Sequence, residues 1–159
     1  MKKLALTDFA KYRYPSALEL SPDGRYLTFA LKHVDREGDG YRWNLWLYDL
    51  ERRESRQITQ GDDQRKAVWE DNTHILYKTT EPDEALRARG FEEEWTVYHR
   101  LNVCTGEDRE AFRLPMSVSG LWKMDEGRYV FTGETHLDRP NLLELTGEAL
   151  EKELVRRQQ

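Results

Sequence analysis

Polar and apolar positions alternate in Tyr26-Leu27-Thr28-Phe29-Ala30, so that Tyr26 and Thr28 share one face of an extended segment and Leu27 and Phe29 the other. The preceding Ser21-Pro22-Asp23-Gly24 is turn chemistry, because proline presets φ and glycine accepts a positive φ. Turn and alternation together predict a bend feeding a β-strand.

The unit recurs. Glu70-Asp71-Asn72-Thr73-His74-Ile75-Leu76-Tyr77 places Asn72 where Gly24 stood, 48 residues earlier, and asparagine also tolerates positive φ. A third copy, Asp125-Glu126-Gly127-Arg128-Tyr129-Val130-Phe131, repeats Gly24-Arg25-Tyr26 at a distance of 103 residues. A period of about 40–50 residues is that of propeller blades, each a small four-stranded sheet. The intervening segments supply further strands. Asn44-Leu45-Trp46-Leu47-Tyr48-Asp49-Leu50 leads through a polar turn to Ser55-Arg56-Gln57-Ile58-Thr59, and Thr96-Val97-Tyr98-His99-Arg100-Leu101-Asn102-Val103 leads through Thr105-Gly106-Glu107 to residues 109–114. Trp69 and Trp122 fall just before the second and third bends, where large core residues between blades are expected.

The pattern predicts an all-β chain: a partial β-propeller of about three four-stranded antiparallel blades with a short C-terminal helix. As a single domain, its blades run over residues 15–60, 61–115 and 116–145. Residues 7–14, with Thr7 or Asp8 as N-cap, read as a short leading helix or an extended lead-in. Residues 146–158 read as the helix, with Thr146 as cap, acids in the first turn and arginines in the last, and only Leu150 and Leu154 as an apolar stripe.

Composition narrows the partners. The 159 residues include 25 Lys+Arg against 30 Asp+Glu, a net charge of −5, which disfavours nucleic acid or an anionic membrane as ligand. An aromatic content of 11% is too high for a disordered acidic chain and suits strands. Cys104 is the lone cysteine, so no internal disulfide and no thiol metal cluster is expected. Asp8 and Lys11 interrupt the apolar start well short of the ~7–15 residues of a signal peptide, and no run nears the ~18 apolar residues of a membrane span. The expectation is a soluble, cytoplasmic protein.

The sequence carries no recognisable catalytic motif. No serine among Ser16, Ser21, Ser55, Ser117 and Ser119 sits in the Gly-x-Ser-x-Gly elbow of an α/β-hydrolase. His33, His74, His99 and His136 are scattered without zinc-ligand spacing. Gly38-Asp39-Gly40 lies in a polar connection between strands, and residues 35–40 lack the ligand alternation and closing Glu of a calcium loop. No cofactor or metal is expected. The most charged insertion, Glu81-Pro82-Asp83-Glu84-Ala85-Leu86-Arg87-Ala88-Arg89-Gly90-Phe91-Glu92-Glu93-Glu94, interrupts the second blade. It reads first as a solvated loop or short helix; read functionally, Glu92, Glu93 and Glu94, or Arg87 and Arg89, face a cavity and contact the charged end of a peptide.

Leu20-Ser21-Pro22-Asp23-Gly24-Arg25-Tyr26-Leu27-Thr28-Phe29 resembles the Ser-Pro-Asp-Gly strand motif of WD-like propellers in TolB-type proteins and in the prolyl oligopeptidase family. With Leu6-Thr7-Asp8-Phe9 ahead of it, and Asn44-Leu45-Trp46-Leu47-Tyr48-Asp49-Leu50 and Arg56-Gln57-Ile58-Thr59 behind, it resembles the start of acylaminoacyl- or dipeptidyl-peptidase-like members, truncated before the hydrolase domain. The resemblance implies a propeller that gates peptide access to a serine-type hydrolase domain not contained in these residues, with no hydrolysis by this chain alone. Phe91-Glu92-Glu93-Glu94-Trp95 does not match closely the acidic motif by which some members hold a substrate's amino terminus. Implied partners are the remaining blades or the hydrolase domain, a peptide substrate through the parent enzyme, and a second copy of the chain by self-association. The rivals are a stand-alone TolB-like binding or scaffold module, and a small β-sandwich in which the repeat is accidental.

Overall fold

The computed structural model describes residues 8, 11–35, 38, 40–125 and 127–158. Part of the polar connection at residues 35–40, and most of the leading segment at residues 6–9, lie outside them. The chain forms a four-stranded antiparallel sheet of β1 (Tyr14–Leu20), β2 (Tyr26–Asp35), β3 (Gly40–Asp49) and β4 (Glu54–Gln57), in that order. A second sheet follows, of β5 (Ala67–Trp69), β6 (His74–Pro82), β7 (Glu94–Asn102) and β8 (Asp108–Leu114), with the four-residue helix α1 (Glu84–Arg87) between β6 and β7. Two strands, β9 (Ser117–Asp125) and β10 (Arg128–Glu134), make a hairpin, and a 3₁₀ turn at Leu142–Glu144 precedes helix α2 (Gly147–Gln158). Two sequence-ordered meanders of four strands are what a blade repeat demands.

The first bend shows why Ser-Pro-Asp-Gly starts a strand. Gly24 adopts φ +72° and its N–H donates to Ser21 O at 2.9 Å, closing the turn. The Ser21 hydroxyl donates to Asp23 Oδ1 at 2.6 Å and accepts from Tyr26 N–H at 2.9 Å, while Arg25 N–H reaches Asp23 Oδ1 at 3.1 Å. Gly127 repeats the left-handed backbone at φ +76°. The second bend is built differently. Asn72 is not left-handed; Asp71 Oδ1 accepts the N–H groups of Thr73 and His74 at 2.7 and 2.8 Å, and this Asx turn needs no positive φ.

The third sheet has two strands where four are expected. After Glu134 the chain enters Thr135-His136-Leu137-Asp138-Arg139-Pro140, which lacks period-2 alternation and ends in a proline, and the next structure is helical. Trp122, expected in a core, is 47% exposed, its ring lying across Gly120, where an added Cβ would come within 2.4 Å of it.

The chain divides into two compact units. One comprises residues up to Thr79 with His99–Arg109, the other Thr80–Tyr98 with Glu110 onward. The first buries Tyr26, Ala30, Leu45, Leu47, Ile75 and Leu101 among others, the inward faces of β2, β3, β6 and β7. Tyr26 stacks on Trp69 at 6.5 Å, and Trp69 Nε1 donates to Glu19 O at 3.1 Å. In the second unit Leu86, Leu142 and Leu154 form a small core that joins α1, the 3₁₀ turn and α2. Burying those leucines is what stabilises a terminal helix too short and too polar to persist alone.

Candidate functional site

The charged insertion is an ordered turn. Asp83 caps α1, accepting Leu86 N–H at 3.0 Å on Oδ1 and Trp95 Nε1–H at 3.2 Å on Oδ2, and these two bonds hold its carboxyl below the usual aspartate range. Leu86 is driven inward, and Gly90, at φ +85°, lets the chain reverse so that Phe91 N–H reaches Leu86 O at 3.1 Å. The reversal delivers Glu92, Glu93 and Glu94 to the start of β7.

All three glutamates line one cleft of about 640 Å³, opposite Glu134, His136 and Arg139. Glu92 and Glu94 are exposed, and among the described residues no cation pairs with either. Glu93 is committed: its Oε1 accepts Arg157 Nη1–H at 3.0 Å. Arg157 also donates through Nε to Glu153 at 3.0 Å and to Pro140 O, so the last turn of α2 is fastened to the entry of β7. Glu153, only 8% exposed at its side chain, is held down to a pKa of about 2 by Arg156 and Arg157. Of the two arginines expected to serve a peptide, Arg87 borders a smaller recess of about 230 Å³ beside the same glutamates. Arg89 instead makes a double ion pair with Glu151 at 2.5 and 2.7 Å, which fastens α1 to α2. The cleft thus offers three carboxylates without an ion pair among the described residues, Glu92, Glu94 and Glu134, and an exposed guanidinium, Arg139, suited to the opposite charges of a zwitterionic or basic peptide segment.

A polar network in the other unit was not foreseen. Tyr77 O–H donates to Asp108 Oδ2, His99 Nδ1 lies 3.6 Å from Asp108 Oδ1, and His99 Nε2 is 3.2 Å from Thr79 Oγ1. The Tyr77 and His99 rings stack at 5.2 Å. Burial and the Asp108 bond push the Tyr77 phenol well above its ordinary value. These residues sit on neighbouring strands β6, β7 and β8, and the network ties three strands in register. The other histidines are local: His74 binds Asp71 at 2.9 Å and contacts Asn102, and His136 lies 3.9 Å from Asp138. A second cleft of about 510 Å³ gathers Arg25, Arg52, Arg56 and Cys104. Asp49 lies 4.0 Å from both Arg25 and Arg52, Glu51 lies 3.5 Å from Arg25, and Arg56 donates to Val103 O. Among the described residues no three of His, Cys, Asp and Glu are arranged to hold a metal ion, and no helix is long and apolar enough to cross a membrane.

No family model matches the sequence, and no curated protein matches it. Solved structures do. The β-propeller domain of the Trilobed protease from Pyrococcus furiosus, described as having an open velcro topology, superposes with a TM-score of 0.56 at 14% identity over 77% of this chain. Acylaminoacyl peptidase from Pyrococcus horikoshii superposes with a TM-score of 0.59 at 15% identity over 82%. The chain has the fold of β-propeller blades. The propeller segment spans 34% of the first of those chains and 20% of the second. Two of the expected blades are thus present as four-stranded antiparallel sheets and the third as a two-stranded hairpin, and the similarity is one of fold.

Proposed function

We propose that this chain is a non-catalytic propeller segment that receives peptides for a serine-type peptidase of the prolyl oligopeptidase family and gates their access to a hydrolase domain. The observation that carries the reading is the pair of exposed, unpaired carboxylates, Glu92 and Glu94, at a cleft that also presents Arg139. A peptide's terminal ammonium fits the carboxylates, and partial desolvation in the cleft strengthens that attraction. The likeness to propellers of two peptidases supplies the context.

A second reading, a stand-alone TolB-like binding or scaffold module, is favoured by one feature: the cleft is complete within one unit of this chain and needs no hydrolase domain to form it. An in-frame or adjacent reading frame encoding a Gly-x-Ser-x-Gly hydrolase domain supports the peptidase role, and its absence the module.

Peptide reception itself is tested by fluorescence anisotropy with a short labelled peptide, once with a free amino terminus and once acetylated. The free amine is expected to bind about tenfold more tightly, and the Glu92→Gln/Glu94→Gln double variant to erase the difference. Equal binding of both peptides to the native chain overturns the proposal.

A further inference from the structure

Among the described residues β10 pairs with β9 alone, which leaves its other edge uncovered. Such an edge is a template for another strand, and folded proteins guard it with charge, proline, a bulge or shortness. The edge strands of the two four-stranded sheets are guarded in these ways. β4 reads Glu54-Ser55-Arg56-Gln57, β8 carries Asp108, Arg109, Glu110 and Arg113, and β5 is three residues long. β1 has Pro15 and breaks register between Ser16 and Glu19, where Ala17 takes φ +50°. In β10 the register with β9 shifts between Arg128 and Tyr129 and again between Thr132 and Gly133, but the stretch between those shifts has no guard: Val130, Phe131 and Thr132 are exposed strand formers, with Val130 at 49% and Phe131 at 41%, and the charges of the strand stand only at its two ends.

The order of those residues specifies an occupant. We propose that β10 pairs antiparallel with β10 of a second copy of this chain, centred on Phe131. In that register Arg128 faces Glu134 of the second copy and Glu134 faces its Arg128, so both ends carry opposite charges. Val130 faces Thr132, and Tyr129 faces Gly133, where an aromatic ring covers backbone that glycine leaves bare. The two Phe131 residues meet at the two-fold axis of an isologous interface. Parallel pairing in register sets arginine against arginine and glutamate against glutamate. An antiparallel slip leaves an end residue of each strand unpaired and separates the charges. Arg128 already pairs with Asp125 through Nε at 2.7 Å and a second, shorter contact, but its side chain is 78% exposed and the guanidinium has further N–H donors to share. Glu134 makes no ion pair among the described residues.

Sedimentation velocity on the chain between about 1 and 200 µM tests the proposal, with a dimer expected to grow in with concentration. Arg128→Glu opposes glutamate to glutamate at both ends and Glu134→Arg opposes arginine to arginine. Each is expected to weaken the dimer about tenfold, and the double exchange to restore it. If Arg128→Glu disturbs the hairpin through Asp125, as circular dichroism would reveal, Glu134→Arg alone carries the comparison. A monomer at every concentration overturns the proposal. So does a dimer indifferent to the exchanges, which would place the contact on another surface, or a double variant that fails to regain it.

Discussion

Arg157 Nη1 lies 3.0 Å from Glu93 Oε1, so the last full turn of the terminal helix holds one member of the acidic triplet while its neighbours remain free. Glu92, Glu93 and Glu94 are consecutive in the chain yet differ in kind. Glu93, just ahead of β7, is half-buried against the helix, whereas Glu92 and Glu94 on either side of it are exposed. Arg157→Leu removes the ties to Glu93, Glu153 and Pro140 together and is expected to cost about 2 kcal/mol, because half-buried Glu93 loses its partner and mostly buried Glu153 keeps only Arg156. Glu92→Gln and Glu94→Gln should leave the denaturant midpoint unchanged. Chemical denaturation of the three variants separates the structural glutamate from the free ones.

Low pH should act through the same cluster. The Glu153 carboxyl lies at about 2 in the folded chain against an ordinary 4.5, so its contribution is fully present above about pH 4.5 and is lost as pH falls through 2. Thermal melts followed between pH 6 and 2 should show Glu153→Gln less stable than the native chain at pH 6, with the gap closing toward pH 2. A gap that stays constant would show that the ion pairs contribute nothing.

The three bends should respond unequally to alanine. Gly24 and Gly127 are left-handed, so Gly24→Ala and Gly127→Ala are each expected to cost about 1 kcal/mol. Asn72→Ala is expected to cost only a few tenths, since the second bend depends on Asp71; Asp71→Ala should cost about 1 kcal/mol by removing the acceptor of two backbone N–H groups. Urea midpoints of the four variants give the ranking directly.

Tyr77→Phe is expected to destabilise the chain by about 1 kcal/mol, because Asp108 loses its buried phenol donor while the ring and its packing stay. Hydrogen exchange should show the loss concentrated in β6, β7 and β8. A uniform loss across the first sheet as well would refute a role in registering those strands.

The strands and their order were legible because a strand's period of two and a turn's demand for Pro, Asp and Gly are written locally. Ser21-Pro22-Asp23-Gly24 and the alternation after it determined the first bend and β2, and the spacing to Gly127 determined that the unit repeats. What needed tertiary structure was everything set by neighbours distant in sequence. The fates of Glu93 and Arg89 depend on Arg157 and Glu151, 64 and 62 residues away. The Asx turn replaced a left-handed Asn72 because Asp71 had two N–H groups within reach, and Trp122 is half exposed because the third sheet stops at two strands. Local sequence writes local dihedral preferences; which carboxylates stay free for a ligand is decided only when folding brings their counter-charges to them or leaves them bare.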